Sequence, residues 1–307
     1  MVTVLLAAYN GERYLGAQFA SLQGQTCRNF QVLWQDDGSR DATAAMLAAT
    51  ADARFVPGAC QGQRLGPCGN FLSLMAQCDT PYAALCDQDD VWHEDKLARL
   101  LSAMQQAEAR YGADTPLLVH SDCRLINGDG AVTHGSFFRH QGWDPAANTL
   151  PPLLVQNNVT GCTLMMNASL RRLVVAHARA ETLFMHDWFI ALTAAAFGQI
   201  IFVDAPLVNY RQHGVNVMGA SQQTQMQRGA KALSQWEKGK ARIALTYTHT
   251  RAFRDAYGAA LPPEARRIVD AYLATERMGK LRRVLTVQKL GCAMQSSVTR
   301  LGQMIFG

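Results

Sequence analysis

The chain opens on an apolar run, Val2–Ala8 (VTVLLAA), stopped by Tyr9-Asn10, the pattern of a strand buried on both faces. Glu12–Gln23 follows with Leu15, Phe19 and Leu22 at helical spacing. Residues 30–35 (FQVLWQ) read as a second strand ending in Asp36-Asp37-Gly38-Ser39. An alanine-rich helix is expected from Asp41, with Ser39 and Asp41 as capping residues. A short third strand is expected at residues 54–56, and the glycine-rich loop from Gly58 to Gly69 leads to a helix near 70–77. Residues 82–86 (YAALC) read as a strand that stops at Asp87, 94–111 as a helix, and 117–120 as another strand. This alternation predicts an α/β fold around an open, mostly parallel sheet flanked by helices. Ligands of such sheets collect beyond the carboxyl ends of the strands. Here those ends carry Tyr9-Asn10, Asp36-Asp37 and Asp87-Gln88-Asp89-Asp90.

The second half is less regular. Residues 153–166 mix loop and strand, His186–Phe197 reads as a helix, and 199–203 as a strand leading to Pro206. After Gly219 a polar loop gives way to basic helices, with Leu261-Pro262-Pro263-Glu264 marking a helix start.

Composition narrows the class. The 307 residues are 49% hydrophobic and 17% charged, enough to bury a large core, as an enzyme does. Eight scattered cysteines form no C-x-x-C, so neither a zinc framework nor a disulfide scaffold is expected, and the compartment reads as reducing and cytoplasmic. Met1 runs directly into a strand, so no secretory leader is expected. The longest apolar stretch, residues 192–203, is interrupted by Gly198-Gln199 and is too short for a bilayer. The net charge of +5 conceals an asymmetry: residues 1–220 hold 14 Lys/Arg against 19 Asp/Glu, and residues 221–307 hold 15 against 5. A carboxylate-rich body with a basic tail fits an acidic active site and an anionic docking surface, although any one cluster also suits a solvated helix face.

Four groups of residues can carry chemistry. In an extended Asp87-Gln88-Asp89, alternate side chains share a face, so Asp87 and Asp89 point together and Asp90 away. Two hard oxygen donors suit Mg2+ or Mn2+, which would neutralise a departing diphosphate. The same acids also suit a turn before a helix. One carboxylate of Asp36-Asp37 can accept a hydrogen bond from a pyrimidine N–H while Tyr9 stacks on the base, or the pair can simply make a turn with an N-cap. Asp187, near a helix start, is either a general base for an attacking hydroxyl or a cap, with Trp188 as core. Arg211 can pair with phosphate, and His213 can be a third metal ligand. The first loop lacks a G-x-G-x-x-G fingerprint, which disfavours hydride transfer.

Taken in order, LLAAYNGERYL (5–15), QDDGSRDAT (35–43), LGPCGNF (65–71), CDQDDVWHEDKL (86–97), TGCTLMMN (160–167), MHDWFIAL (185–192) and YRQHGVNVMG (210–219) resemble family 2 glycosyltransferases. These are inverting enzymes of the GT-A fold, and the rhamnosyltransferase-like branch is the nearest in pattern. The resemblance implies a GT-A catalytic domain over residues 1–220 and a basic helical extension over 221–307. It implies nucleoside and sugar contacts from Ala8, Tyr9, Asn10, Asp37 and Asn70. It further implies a metal-binding D-x-D at Asp87 and Asp89, with Asp87 also facing the donor. Trp92, Trp188 and Arg211 would contact substrate, Trp92 facing the acceptor or sugar. Asp187 would be the catalytic base, and His213 would bind metal or diphosphate. The processive Q-x-x-R-W motif is absent, so transfer of a single sugar is expected, L-rhamnose from dTDP-rhamnose first. The acceptor would be a lipid-linked or oligosaccharide hydroxyl in surface-polysaccharide (O-antigen or capsule) synthesis. A UDP-hexose transferase is the alternative, and a non-catalytic sugar-nucleotide or glycan-binding protein another. A nucleotidyltransferase would show a basic, glycine-rich first loop, and nucleic acid is not expected as a partner.

Outside these motifs, Ile268, Val269, Tyr272 and Leu273, then Leu281, Val284 and Leu285, predict amphipathic helices beside Arg266, Arg267, Arg277, Arg282 and Arg283. Docking at an anionic membrane and a homo-oligomer interface are equal readings of that segment.

Overall fold

In the computed structural model, residues 1–212 and 231–306 are described. Among the described residues nine strands form one mixed sheet: β1 (Val2–Ala8), β2 (Phe30–Asp36), β3 (Phe55–Pro57), β4 (Tyr82–Asp87), β5 (Val91–Trp92), β6 (Leu117–Ile126), β7 (Val132–His134), β8 (Leu164–Asn167) and β9 (Gln199–Arg211). Their order is β3-β2-β1-β4-β8-β6-β9-β5, with β7 added to β6. The first four strands run parallel, as the alternation predicts. Beyond β4 the sheet is mixed, because β8 lies antiparallel to both β4 and β6 while β9 runs parallel to β6.

The register sets the position of the acids. Ala8 pairs with Asp36 and Ala7 with Asp87, so β1, β2 and β4 all end on one rim. Alternate residues of β1 feed opposite layers: Leu5 packs on one face, Val2, Val4, Leu6 and Ala8 on the other. The helices Glu12–Gln23 and Lys96–Tyr111 bury Leu15, Leu22, Leu97, Leu100 and Met104 against the second face. The first face is covered by Gly66–Gln77, Ala168–His177 and His186–Phe197. Fully burying one such aliphatic side chain stabilises the fold by about 1.5–3 kcal/mol.

Two strands outrun their expected ends. β6 continues to Ile126 and β9 runs through Pro206. A register shift between Ser121↔Val203 and Asp122↔Pro206 leaves Asp204 and Ala205 unmatched, and this bulge accommodates a proline that has no N–H for the ladder.

The helices Lys231–Tyr257, Pro263–Ala274 and Lys280–Lys289 share the first face's core through Ile243, Tyr247, Phe253, Val269, Tyr272 and Val287. Val269 and Tyr272 thus turn inward as the amphipathic pattern predicts, whereas Leu281 and Leu285 face outward. No helix among the described residues is long and apolar enough to cross a membrane.

His249, on the helix Lys231–Tyr257, lies 4.5 Å from the Trp188 ring and is buried with both ring nitrogens unpartnered among the described residues. Burial pulls its pKa from 6.5 down to about 4. The unfolded chain therefore takes up this proton first as pH falls, so the folded state loses stability between pH 6.5 and about 4. A His249→Phe variant should keep the ring contact and show a shallower fall in unfolding midpoint over that window. An unchanged slope in thermal melts at stepped pH would refute this.

Candidate active site

The first loop is fixed by reciprocal backbone contacts. Gly11 N–H donates to Thr43 Oγ1, Glu12 N–H to Asp41, and Ala42 N–H to Glu12, so two helix starts cap one another. Asn10 holds a left-handed conformation at φ 49°, which a short polar side chain tolerates, and its Oδ1 accepts from Arg40 N–H at 2.8 Å. Tyr9 projects from the end of β1, 38% exposed. The Arg64 guanidinium lies 4.9 Å from its ring and donates to its hydroxyl at 2.9 Å.

Asp36 and Asp37 divide the work at the end of β2. The Asp36 carboxylate accepts from Gly38 N–H, Ser39 N–H and the Ser39 hydroxyl, closing the turn. Asp37 donates its N–H to Ala8 O, and its carboxylate accepts from Leu65 N–H at 2.5 Å and Gly66 N–H at 2.9 Å. Those two bonds anchor the start of Gly66–Gln77. An ionised carboxylate offers about four acceptor positions, so Asp37 retains capacity for a ligand N–H.

The end of β4 departs from the extended geometry expected of it. Residues 88 and 89 turn, and Asp90, rather than pointing away, lies under Asp87. Ligand atoms of Asp87, Asp90 and Cys162 lie within 4.8 Å of one another. Alternation fails here because it holds only while the backbone stays pleated. Gln88 clamps the first loop by accepting from Tyr9 N–H at 2.5 Å and donating to Tyr9 O at 2.7 Å. A Cβ on Gly11 would meet the Gln88 side chain, which would have to shift and loosen its clamp on Tyr9.

Asp187 enters from the first turn of His186–Phe197, 8% exposed. Its Oδ2 accepts from Gly161 N–H at 3.1 Å and its Oδ1 from Trp188 N–H at 2.6 Å. Burial raises its pKa to about 6 despite those two donors. Burial also pushes Asp87 up to about 7, with the charges of Asp89 and then Asp187 adding to the rise and Lys96 opposing it. Asp90 is raised well above the carboxylate range by burial, then by Asp89 and Asp87. The rim of β1, β2 and β4 thus gathers an aromatic ring, a capping carboxylate and a crowded acidic group, with the buried Asp187 carboxylate interacting electrostatically with Asp87.

A family model for glycosyl transferase family 2 matches residues 3–173. The chain belongs to glycosyl transferase family 2. It is 23% identical over 231 residues to the dTDP-rhamnosyl transferase RfbG of Shigella flexneri, which covers 70% of this chain and 74% of that one. Among solved structures it resembles TarS 1-349 of S. aureus in complex with UDP-GlcNAc, with TM-score 0.58, 14% identity, and 99% of this chain and 88% of that one covered. It also resembles the mannosyltransferase PcManGT of Pyrobaculum calidifontis in complex with GDP-Man and Mn2+, with TM-score 0.56, 15% identity, and 94% and 72% covered. The protein is a glycosyltransferase with the GT-A fold, as the motif order implies.

Not every residue singled out in the sequence faces the rim of this glycosyltransferase. Asn70 is 2% exposed and exchanges hydrogen bonds with Gln35, tying helix to strand. Trp92, expected to face acceptor or sugar, is packed in the core with the Lys96 ammonium 3.0 Å from its ring centre. Trp188 is also interior, donating from Nε1 to Leu153 O at 2.6 Å. Arg211, expected to pair with phosphate, is buried: its backbone N–H donates to the Asp90 carboxylate at Oδ1, and its guanidinium donates to backbone carbonyls, Nε to Asp89 O and one terminal nitrogen to Asn127 O and Gly128 O. It holds the acidic turn in place. His213 lies outside the described residues.

Four contributors escaped the sequence reading: Gln88, Arg64, Cys162 and Lys96. Lys96 stands ten residues after Cys86 in a helix start, where a lysine normally reaches solvent, so its type gave no signal. It is fully buried, donates to Cys162 O at 2.6 Å, and is pulled down to about 8 by burial, against the pull of Cys162, Cys86, Asp90 and Asp87. Removing one partner of a buried charge cluster costs about 3–5 kcal/mol. Lys96→Met should therefore destabilise the fold by about 3 kcal/mol in denaturant titration, and adding Asp87→Asn, which removes the carboxylate that Lys96 opposes, should restore part of the loss. A Lys96→Met protein as stable as wild type would show that this charge balance is unimportant.

Proposed function

We propose that this glycosyltransferase transfers a single sugar with inversion from a nucleotide-sugar to a hydroxyl of a bacterial surface-polysaccharide acceptor. The observation that carries the reading is the buried Asp187 carboxylate beside Asp87, on the rim that also holds Tyr9 and Asp37. Its raised pKa of about 6 leaves it ionised at neutral pH yet basic enough to take a proton.

In the proposed step the acceptor hydroxyl gives its proton to Asp187 as its oxygen bonds to the anomeric carbon. The bond from that carbon to the diphosphate breaks, and the electron pair leaves with the diphosphate. One base suffices for such a single displacement. Tyr9 would stack on the nucleobase and Asp37 accept its N–H, with Gln88 and Arg64 holding Tyr9 in place. Hard oxygen donors crowded at the end of β4, their charges opposed by Lys96, fit a divalent cation, whereas the Cys162 thiol is kept protonated by burial. When bound at Asp87 and Asp89, Mg2+ or Mn2+ would neutralise charge on the leaving diphosphate. His213 is the remaining proposed ligand.

The relative named a dTDP-rhamnosyl transferase favours dTDP-rhamnose as donor. The neighbour solved with UDP-GlcNAc motivates a UDP-sugar as the second reading.

Asp187→Asn should lower turnover by about 10²–10⁴-fold while nucleotide affinity stays near wild type. The wild-type rate should fall as pH drops below about 6, where Asp187 becomes protonated. Near-normal turnover in that variant would remove Asp187 from the base role. Isothermal titration with dTDP and UDP, each with and without Mn2+, tests the donor. Tighter, metal-dependent binding of dTDP supports the rhamnosyl reading, preference for UDP transfers it to a hexose, and binding of neither refutes the donor site.

A further inference from the structure

The helix Lys280–Lys289 turns Val287 into the core but leaves Leu281 76% and Leu285 58% exposed. Four residues apart, the two leucines share one helix face. With Arg282, Thr286 and Lys289 they line a shallow surface groove. Leu281 is the most exposed large hydrophobic side chain among the described residues. Single exposed leucines are ordinary, but a pair set among basic side chains is the composition of a helix that lies at a membrane interface.

The surrounding charge has one sign. Residues 277–307 contain six Lys/Arg and no Asp/Glu. The acid just before them, Glu276, is paired with Arg251 at 2.6 Å. Arg277, Lys280, Arg282 and Lys289 are all exposed.

We propose that this helix docks on an anionic lipid surface. Leu281 and Leu285 enter the headgroup–acyl boundary, and the four exposed cations meet lipid phosphates. A nucleic acid would satisfy the cations but leave the leucines in water. The helix shares its core with Lys231–Tyr257, whose His249 rests on Trp188, so the docked surface belongs to the same packed body as Asp187. The inference rests on this surface alone and stands whichever sugar is transferred.

Flotation of the full-length protein with phosphatidylglycerol-rich vesicles and with pure phosphatidylcholine vesicles tests it. Wild type should float with the anionic vesicles only, and less at high salt. Two double variants, Leu281→Glu with Leu285→Glu and Arg282→Glu with Lys289→Glu, should each lower the bound fraction about tenfold or more. Because all four side chains are exposed, circular dichroism and nucleotide titration should stay at wild-type values. That separates a docking defect from failure of the donor site. No flotation of wild type, or undiminished flotation of both variants, would overturn the proposal. So would leucine variants that only convert a dimer to a monomer in light scattering while still floating.

Discussion

Acidic groups crowded together at the end of β4, half-buried at Asp87 and Asp89 and buried at Asp90, are the constraint around which the site is organised. Asp87 and Asp90 are forced close by the turn at residues 88–89, with the charge of Asp89 acting on both and one buried ammonium, Lys96, opposing Asp87 and Asp90. Such a group does not hold itself together. Arg211 ties its backbone from β9, Gln88 ties it to the first loop, and Lys96 fixes the turn Gly161–Thr163 through Cys162 O. The raised Asp87 pKa has a definite sign for stability. A carboxyl raised from 3.8 to about 7 favours the folded state while protonated, and that contribution is lost as pH rises through 7.

Much of the fold was legible because its signals are local. The runs at β1, β2 and β4 declare buried strands, and the helices Glu12–Gln23 and His186–Phe197 match their expected limits. β6 and β9 were read short. Polar residues at Ser121 and Asp122 interrupt the first, and Pro206 the second, yet a bulge lets the pair continue. Pairing across eighty residues is not written in either segment alone.

The site was legible in its parts but not in its geometry. Residue type and position at strand ends identified Tyr9, Asp37 and Asp87 as candidates, and position at a helix start identified Asp187. What a pattern cannot carry is the direction of a turn. The two-residue period that sets Asp90 apart from Asp87 ends with the strand, and the structure reverses the outcome. Arg211 and Trp92 are the complementary case. Their chemistry suits phosphate and sugar, but neighbouring carbonyls and a buried lysine occupy them first. Lys96 was passed over for the opposite reason, since lysine in a helix rarely lies inside.

The way the C-terminal helices meet the body bears on how the enzyme can be re-engineered. Tyr247, Phe253 and Tyr257 stand in the same apolar layer as Phe189, with the Phe189 and Tyr257 rings 5.7 Å apart and nearly parallel. Chimeras that graft one family member's tail onto another's catalytic half would split this layer, mismatching volumes on both sides of the cut. A workable exchange must carry His186–Phe197 along with the tail, and so move the candidate base with it.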